Sequence, residues 1–201
     1  MYGYADSGQT VRIAPSASAR LVAPGRGAAC VVNLGAGLDT RAFRIDLPRD
    51  LCWIDVDLPG IVAYRQECLL GATAACHHQH IAANISRPGP LREVLTAAHK
   101  LGGPILVLTE GLLVYLEPAQ VAHLAIRLHG ETQVRWWITD LVSPLLLATV
   151  GATWQPRLAR AGAALRFAPA DSAGFFARLG WREAEFHPVW DAALRLARPA
   201  P

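Results

Sequence analysis

The chain has 201 residues, 52% of them hydrophobic and 17% charged, with a formal net charge of +3. That is enough chain for one domain with a buried core, and it is too apolar for intrinsic disorder, which needs low hydrophobicity and high net charge. The basic residues are all arginine except Lys100 and are scattered rather than clustered, which excludes a nucleic-acid surface; no apolar run approaches the ~20 residues of a spanning helix, and the Tyr/Gly/Asp-rich start lacks a signal-peptide pattern, so no membrane and a cytoplasmic address are expected.

Residues 1–29 are rich in Gly, Pro, Ser and Ala and weakly patterned. A helix is expected over 11–23, with Pro15 in its first turn, before the break at Pro24-Gly25-Arg26-Gly27. The continuous apolar run over 28–34 marks a strand buried on both faces. A second strand is expected over 51–57, closed by Leu58-Pro59-Gly60, then a helix over 61–70 and a weaker strand over 77–82. A helix over 89–100 admits Pro90 at its start. Residues 104–109 give the clearest strand, ending at Glu110-Gly111. Glu117-Pro118 opens a helix over 119–128, closed by Gly130. A strand follows over 134–140, then a helix from Asp171-Ser172 to Leu179, with Gly180 just past its end, and a strand over 181–187. This alternation predicts a single α/β domain over 1–201: a Rossmann-like, doubly wound, mostly parallel sheet of about six or seven strands with helices on both faces.

Ligands of such sheets bind beyond the carboxyl ends of the strands, where the strand order reverses. Three strand ends carry suitable residues: Gly35-Ala36-Gly37, Asp55 with Asp57, and Glu110. Glycine lets backbone approach a ligand where a Cβ would collide. Asp57 follows Gly37 at about 20 residues, the spacing at which an acid receives ribose hydroxyls, so an adenosine cofactor is expected. A dinucleotide site wants a third glycine and a helix N-terminus facing pyrophosphate. Here Thr40 stands at the glycine position, and Asp39 adds negative charge. That disfavours NAD and favours S-adenosylmethionine, which has no phosphate and whose ammonium suits Asp39 or backbone carbonyls.

The segment Val31-Val32-Asn33-Leu34-Gly35-Ala36-Gly37-Leu38-Asp39-Thr40-Arg41-Ala42-Phe43-Arg44 resembles the first motif of the leucine carboxyl methyltransferase family, which includes bacterial polyketide carboxyl methyltransferases. Trp53-Ile54-Asp55-Val56-Asp57-Leu58-Pro59 resembles its second-strand motif, and Thr109-Glu110-Gly111-Leu112-Leu113-Val114-Tyr115-Leu116 its fourth-strand motif. The stretch from Gly174-Phe175-Phe176 to Gly180-Trp181 is similar to the end of the same fold. The resemblance implies an S-adenosylmethionine-dependent O-methyltransferase acting on a small molecule, with a carboxylate as the expected acceptor. By the same resemblance, Gly35, Ala36 and Gly37 contact the methionine part and Asp57 holds the ribose. Asn84 stands where the family usually has an Asp before an adenine-contacting loop. Glu110 lines the cleft, and Arg12 lies about where an arginine pairs with the cofactor carboxylate. Family members usually carry a helical lid before this core. The short start therefore implies an open cleft with an exposed apolar rim, and the expectation is either a homo-oligomer that covers it or poor solubility. Two other readings stay open: a cofactor-binding protein without catalysis, and an NAD-linked oxidoreductase.

The remaining candidates are weighed by environment. Asp39 and Arg41 either support the cofactor or cap a helix start. Asp55 is expected to be structural. Tyr115 is assigned to the substrate cleft, with core packing as its alternative. Trp136 and Trp137 are expected to pack on the sheet, and His123 and His129 to lie on the surface. Cys30 and Cys52 read as small buried hydrophobes. The Cys76-His77-His78-Gln79-His80 segment has ligand chemistry, with His78 and His80 on one face of a strand, but no partner cluster elsewhere in the sequence. No metal site is expected there.

Overall fold

The computed structural model describes residues 2–6, 9–12, 27–160 and 162–187. Its centre is five parallel strands: β3 (Cys30–Leu34), β4 (Cys52–Asp57), β5 (His77–Ala82), β6 (Ile105–Thr109) and β7 (Val134–Asp140). They lie in the order β5-β4-β3-β6-β7. The chain leaves β3 toward β4 and β5, then returns to place β6 on the other side of β3. The switch point of the fold is therefore the β3–β6 boundary.

Residues of β3 and β6 are buried at every position. Parallel strands covered on both faces need this continuous apolar character, and Cys30-Val31-Val32 and Ile105-Leu106-Val107-Leu108 supply it. The connecting helices are α1 (Arg41–Arg44) after β3, α2 (Pro59–Cys68) after β4, α3 (Pro88–Lys100) after β5 and α4 (Pro118–His129) after β6. Helix α4 shows how the sequence sets its own boundaries. Pro118 occupies the first turn, and Glu117 and Gln120 cap it reciprocally, the Gln120 Oε1 accepting from the Glu117 N–H at 2.9 Å. Val121, Leu124, Ala125 and Leu128 then form one buried stripe at helical spacing. Burying each leucine contributes roughly 1.5–3 kcal/mol.

Beyond β7 the sheet grows to eight strands. β1 (Tyr2–Asp6) runs antiparallel to β7 and to β8 (Arg182–His187), while β2 (Gln9–Arg12) is parallel to both. These two N-terminal strands correct the expectation of an unpatterned start. Val11 and Arg12 belong to β2 and not to a helix; the rest of the expected 11–23 helix lies outside the described residues. A second correction is α5 (Pro144–Arg160), a helix where Ser143-Pro144 read only as the end of a strand. Pro144 opens it, and Pro156 lies inside it. Helix α6 (Ser172–Ala177) starts as expected, the Asp171 carboxylate accepting from the Gly174 N–H at 2.8 Å.

The two tryptophans of β7 divide as adjacent strand residues must. Trp137 is buried against Phe176 and Trp181, each ring centroid 5.2 Å away, and its indole donates to the Thr109 hydroxyl at 2.8 Å. Trp136 is half-buried on the core's edge. His123 is exposed, whereas His129 is half-buried, 5.6 Å from the Trp181 ring.

Candidate functional site

The residues at the carboxyl ends of β3, β4 and β6 converge on the switch point. β3 ends in a glycine turn with both Gly35 (φ +69°) and Gly37 (φ +51°) in the left-handed region that other residues avoid. The two glycines serve different ends. A Cβ on Gly35 would lie 3.0 Å from the Leu112 side chain, so the close approach expected from a ligand is there made by Leu112. A Cβ on Gly37 would meet nothing within 4 Å, so that position faces open space. The turn is fastened to β4: the Gly35 and Ala36 amides donate to the Val56 carbonyl at 2.8 and 3.1 Å, and the Gly37 amide donates to Asp57 Oδ2 at 2.7 Å. The other Asp57 oxygen accepts from the Leu58 amide at 2.7 Å.

The Asp39 carboxylate is engaged within the turn itself. Its Oδ1 accepts from the Arg41 amide (2.8 Å), and its Oδ2 from the Arg41 guanidinium (2.7 Å) and the Asn33 side-chain amide (3.0 Å). Arg41 bridges Asp39 to Glu110, the residue after β6. Burial lowers the Arg41 pKa, but its bonds to Asp39 and Glu110 outweigh that and raise it above its ordinary value. Glu110 moves up as well, because burial and the nearby Asp39 and Asp140 outweigh the Arg41 cation. Asn84 lies just past β5, exposed, with its Oδ1 accepting from the Ser86 amide and hydroxyl. Tyr115 closes a 3-10 turn (Leu113–Tyr115) after β6 and is 41% exposed, which excludes the core-packing alternative. Arg12 has its backbone in β2, opposite Ile138; its side chain lies outside the described residues.

Behind this rim is a buried polar centre that the sequence does not reveal. Asp55 is 1% exposed. Its Oδ1 accepts from Asn33 (2.8 Å) and the Trp53 indole (2.9 Å), and its Oδ2 meets Arg65 of α2 and His78 of β5, each at 2.5 Å. Burial pushes this carboxyl up, but the bonds from His78, Arg65, Trp53 and Asn33 together hold it below the usual carboxylate range. Arg65 also donates to the Asp39 carbonyl, and Asn33 donates to both Asp39 and Asp55, so the centre is wired to the glycine turn. Only strand order could have announced it: β5, β4 and β3 must be neighbours before His78, Asp55 and Asn33 can meet. The same neighbourhood supplies what the 76–80 segment lacked in sequence, because Asp55 stands against His78 and His80.

A glycine turn after the first central strand, an acid at the end of the next and a switch point between them define a Rossmann-like α/β protein whose ligand side is the carboxyl rim. The chain belongs to the leucine carboxyl methyltransferase family, whose sequence profile matches residues 9–129. A protein of Streptomyces avermitilis provisionally named an S-adenosyl-L-methionine-dependent methyltransferase is 32% identical over 175 residues, 84% of this chain and 60% of its own. One of Mycobacteroides abscessus, with the same provisional name, is 38% identical over 90 residues, 44% of this chain and 28% of its own. The tetracenomycin polyketide synthesis O-methyltransferase TcmP of Streptomyces glaucescens is 30% identical over 138 residues, covering 69% of this chain and 45% of its own. This chain therefore spans between 28% and 60% of the length of these relatives. A crystal structure of a DUF574-family protein from Streptomyces avermitilis superposes with a TM-score of 0.56 at 13% identity, covering 79% of this chain and 64% of that one. That likeness concerns the fold. Among the described residues, no helix is long and apolar enough to cross a membrane.

Proposed function

We propose that this chain binds S-adenosylmethionine at the carboxyl rim and belongs to an O-methyltransferase whose acceptor is the carboxylate of a small molecule. The observation that carries the reading is the 2.7 Å bond between the Gly37 amide and Asp57, which brings turn and acid together at the switch point. The residues fit the cofactor. Gly37 leaves open space where a side chain would stand, and Leu38 and Leu58 flank the turn and acid with apolar surface that is 61% and 48% exposed. Asp57 keeps a second lone pair on each oxygen for ribose hydroxyls, and Asn84 stands one strand over, where its amide can meet an adenine edge. Arg12, Gly35, Ala36 and Glu110 complete the proposed cofactor set, with Tyr115 on the acceptor side.

Held there, S-adenosylmethionine would supply an electrophilic methyl to the acceptor oxygen, its sulfur leaving with the electron pair of the carbon–sulfur bond. A carboxylate acceptor is already ionised at neutral pH, so the chain need not supply a general base. Its residues act by positioning. The Asp39–Arg41–Glu110 bridge holds the β3 turn against the end of β6, and alignment of this kind supplies up to roughly 7–11 kcal/mol of barrier lowering. The relatives' names support the cofactor, and TcmP's name supports oxygen as the acceptor atom. Titration calorimetry with S-adenosylmethionine and its demethylated product tests the binding; absence of heat with both overturns it. Labelled methyl transfer to polyketide acids, set against the corresponding phenols, tests the acceptor.

A further inference from the structure

The geometry points to a second site: Asp55, His78 and His80 form a pocket for a divalent transition-metal ion of the zinc class, set back from the carboxyl rim on the β4–β5 face.

The donors converge because of strand period and register. His78 and His80 are two apart on β5 and share a face, with ring centroids 4.4 Å apart. Asp55 of β4 is the direct neighbour of His80 in the parallel ladder. One donor atom from each of the three lies within 4.8 Å of the other two. His80 Nδ1 is buried and has no hydrogen-bond partner, which leaves a donor atom of the cluster unused. In front of the histidines is a cavity of about 390 Å³, lined also by Cys76, Thr73 and Gln66, so an ion has an entry path and room for a water ligand. Cys76 precedes His78 by the same two-residue step and adds a thiol at the cavity wall.

The donor set selects the ion. Two imidazoles and a carboxylate suit zinc, cobalt or nickel, while magnesium and calcium require mostly oxygen ligands. The Asn33 and Trp53 bonds to Asp55 Oδ1 fix the carboxylate's orientation, as outer hydrogen bonds do in metal sites. Arg65 shares Oδ2 with His78. The carboxylate's charge is thus partly neutralised already, and binding rests chiefly on the two imidazoles. The site stands independently of the proposed cofactor reading.

The test uses untagged protein stripped with a chelator, then titrated with Zn²⁺ by calorimetry and with Co²⁺ by visible absorption. One ion per chain is expected, with the absorption of a four-coordinate cobalt centre. His80→Ala should weaken binding by about tenfold or more. His77→Ala, whose residue is exposed and on the opposite face of β5, should leave it unchanged. His78→Ala removes a bond to Asp55 and can lower stability, so His80→Ala carries the test. Either no binding by the parent protein or equal affinity in His80→Ala overturns the proposal, as does a loss in His77→Ala that matches the loss in His80→Ala.

Discussion

Asp55 and Asp57 stand two residues apart on β4, on one face of the strand, yet they live in different worlds. Asp55 is 1% exposed and is surrounded by Asn33, Trp53, Arg65 and His78. Asp57 sits half-buried at the strand's end, where its partners are two backbone amides of the rim, those of Gly37 and Leu58. Alternation explains which face a residue takes but not how deep it lies along the strand. Here depth decides the surroundings: the inner acid is enclosed by side chains of three strands and a helix, and the outer acid lies at the rim where the proposed cofactor would bind.

The largest expected effect lies with the inner acid. Asp55→Ala leaves Arg65 buried without its counter-charge and should cost about 3–5 kcal/mol of stability, read by denaturant unfolding. Asp57→Ala should stay within roughly 1 kcal/mol of the parent, because its bonds are at the rim. Equal losses would break the comparison. The acid limb of the stability curve sharpens it. Asp55's folded pKa lies below its unfolded value near ~3.9. Its contribution is therefore complete above that unfolded value and is lost as pH falls through the lower folded one. Asp55→Asn should flatten the curve below about pH 4, measured by unfolding across a pH series.

For ligand affinity the order reverses. Asp57→Ala should weaken S-adenosylmethionine by about 1.5–3 kcal/mol, the worth of hydrogen bonds to a charged group, in a calorimetric titration. The smallest effects concern the glycine turn. Gly35→Ala and Gly37→Ala both place a side chain at positive φ, costing about 1 kcal/mol. Gly35→Ala should cost more, because it also presses on Leu112. A thermal-melt series in which Gly37→Ala is the more damaging would assign the crowded side of the turn wrongly.

The apolar strands and the glycine turn were legible in the sequence, and the buried polar centre was not. The Gly37-to-Asp57 spacing, the apolar runs of β3 and β6 and the Glu117-Pro118 helix start are local signals, and each appears in the fold near its expected place. The two readings of Asp39 could not be separated in sequence because its partners, Arg41 and Asn33, matter only once the turn has closed on them. The Asp55 centre joins three strands and a helix, so no window of sequence contains it. β1 was missed because Tyr2-Gly3-Tyr4-Ala5-Asp6 has little apolar character and depends on pairing with β7 and β8, over a hundred residues away. Helix α5 was missed because Ser143-Pro144 was read only as a strand end, whereas Pro144 opens the helix and Pro156 is accommodated inside it.

Trp53 turns this interior into something that can be watched. Its indole N–H rests on Asp55 Oδ1 at 2.9 Å, its ring is buried, and the Arg41 guanidinium lies 5.8 Å from the ring centre. Indole emission responds to the electric field across the ring, because excitation moves electron density from the pyrrole toward the benzene end. A carboxylate at the pyrrole nitrogen and a cation nearby therefore set the colour of this fluorophore. Neutralising Asp55, or drawing its charge toward an ion at the neighbouring histidines, changes that field without unfolding anything. Trp53 thus carries an optical readout of the most deeply buried charge among the described residues.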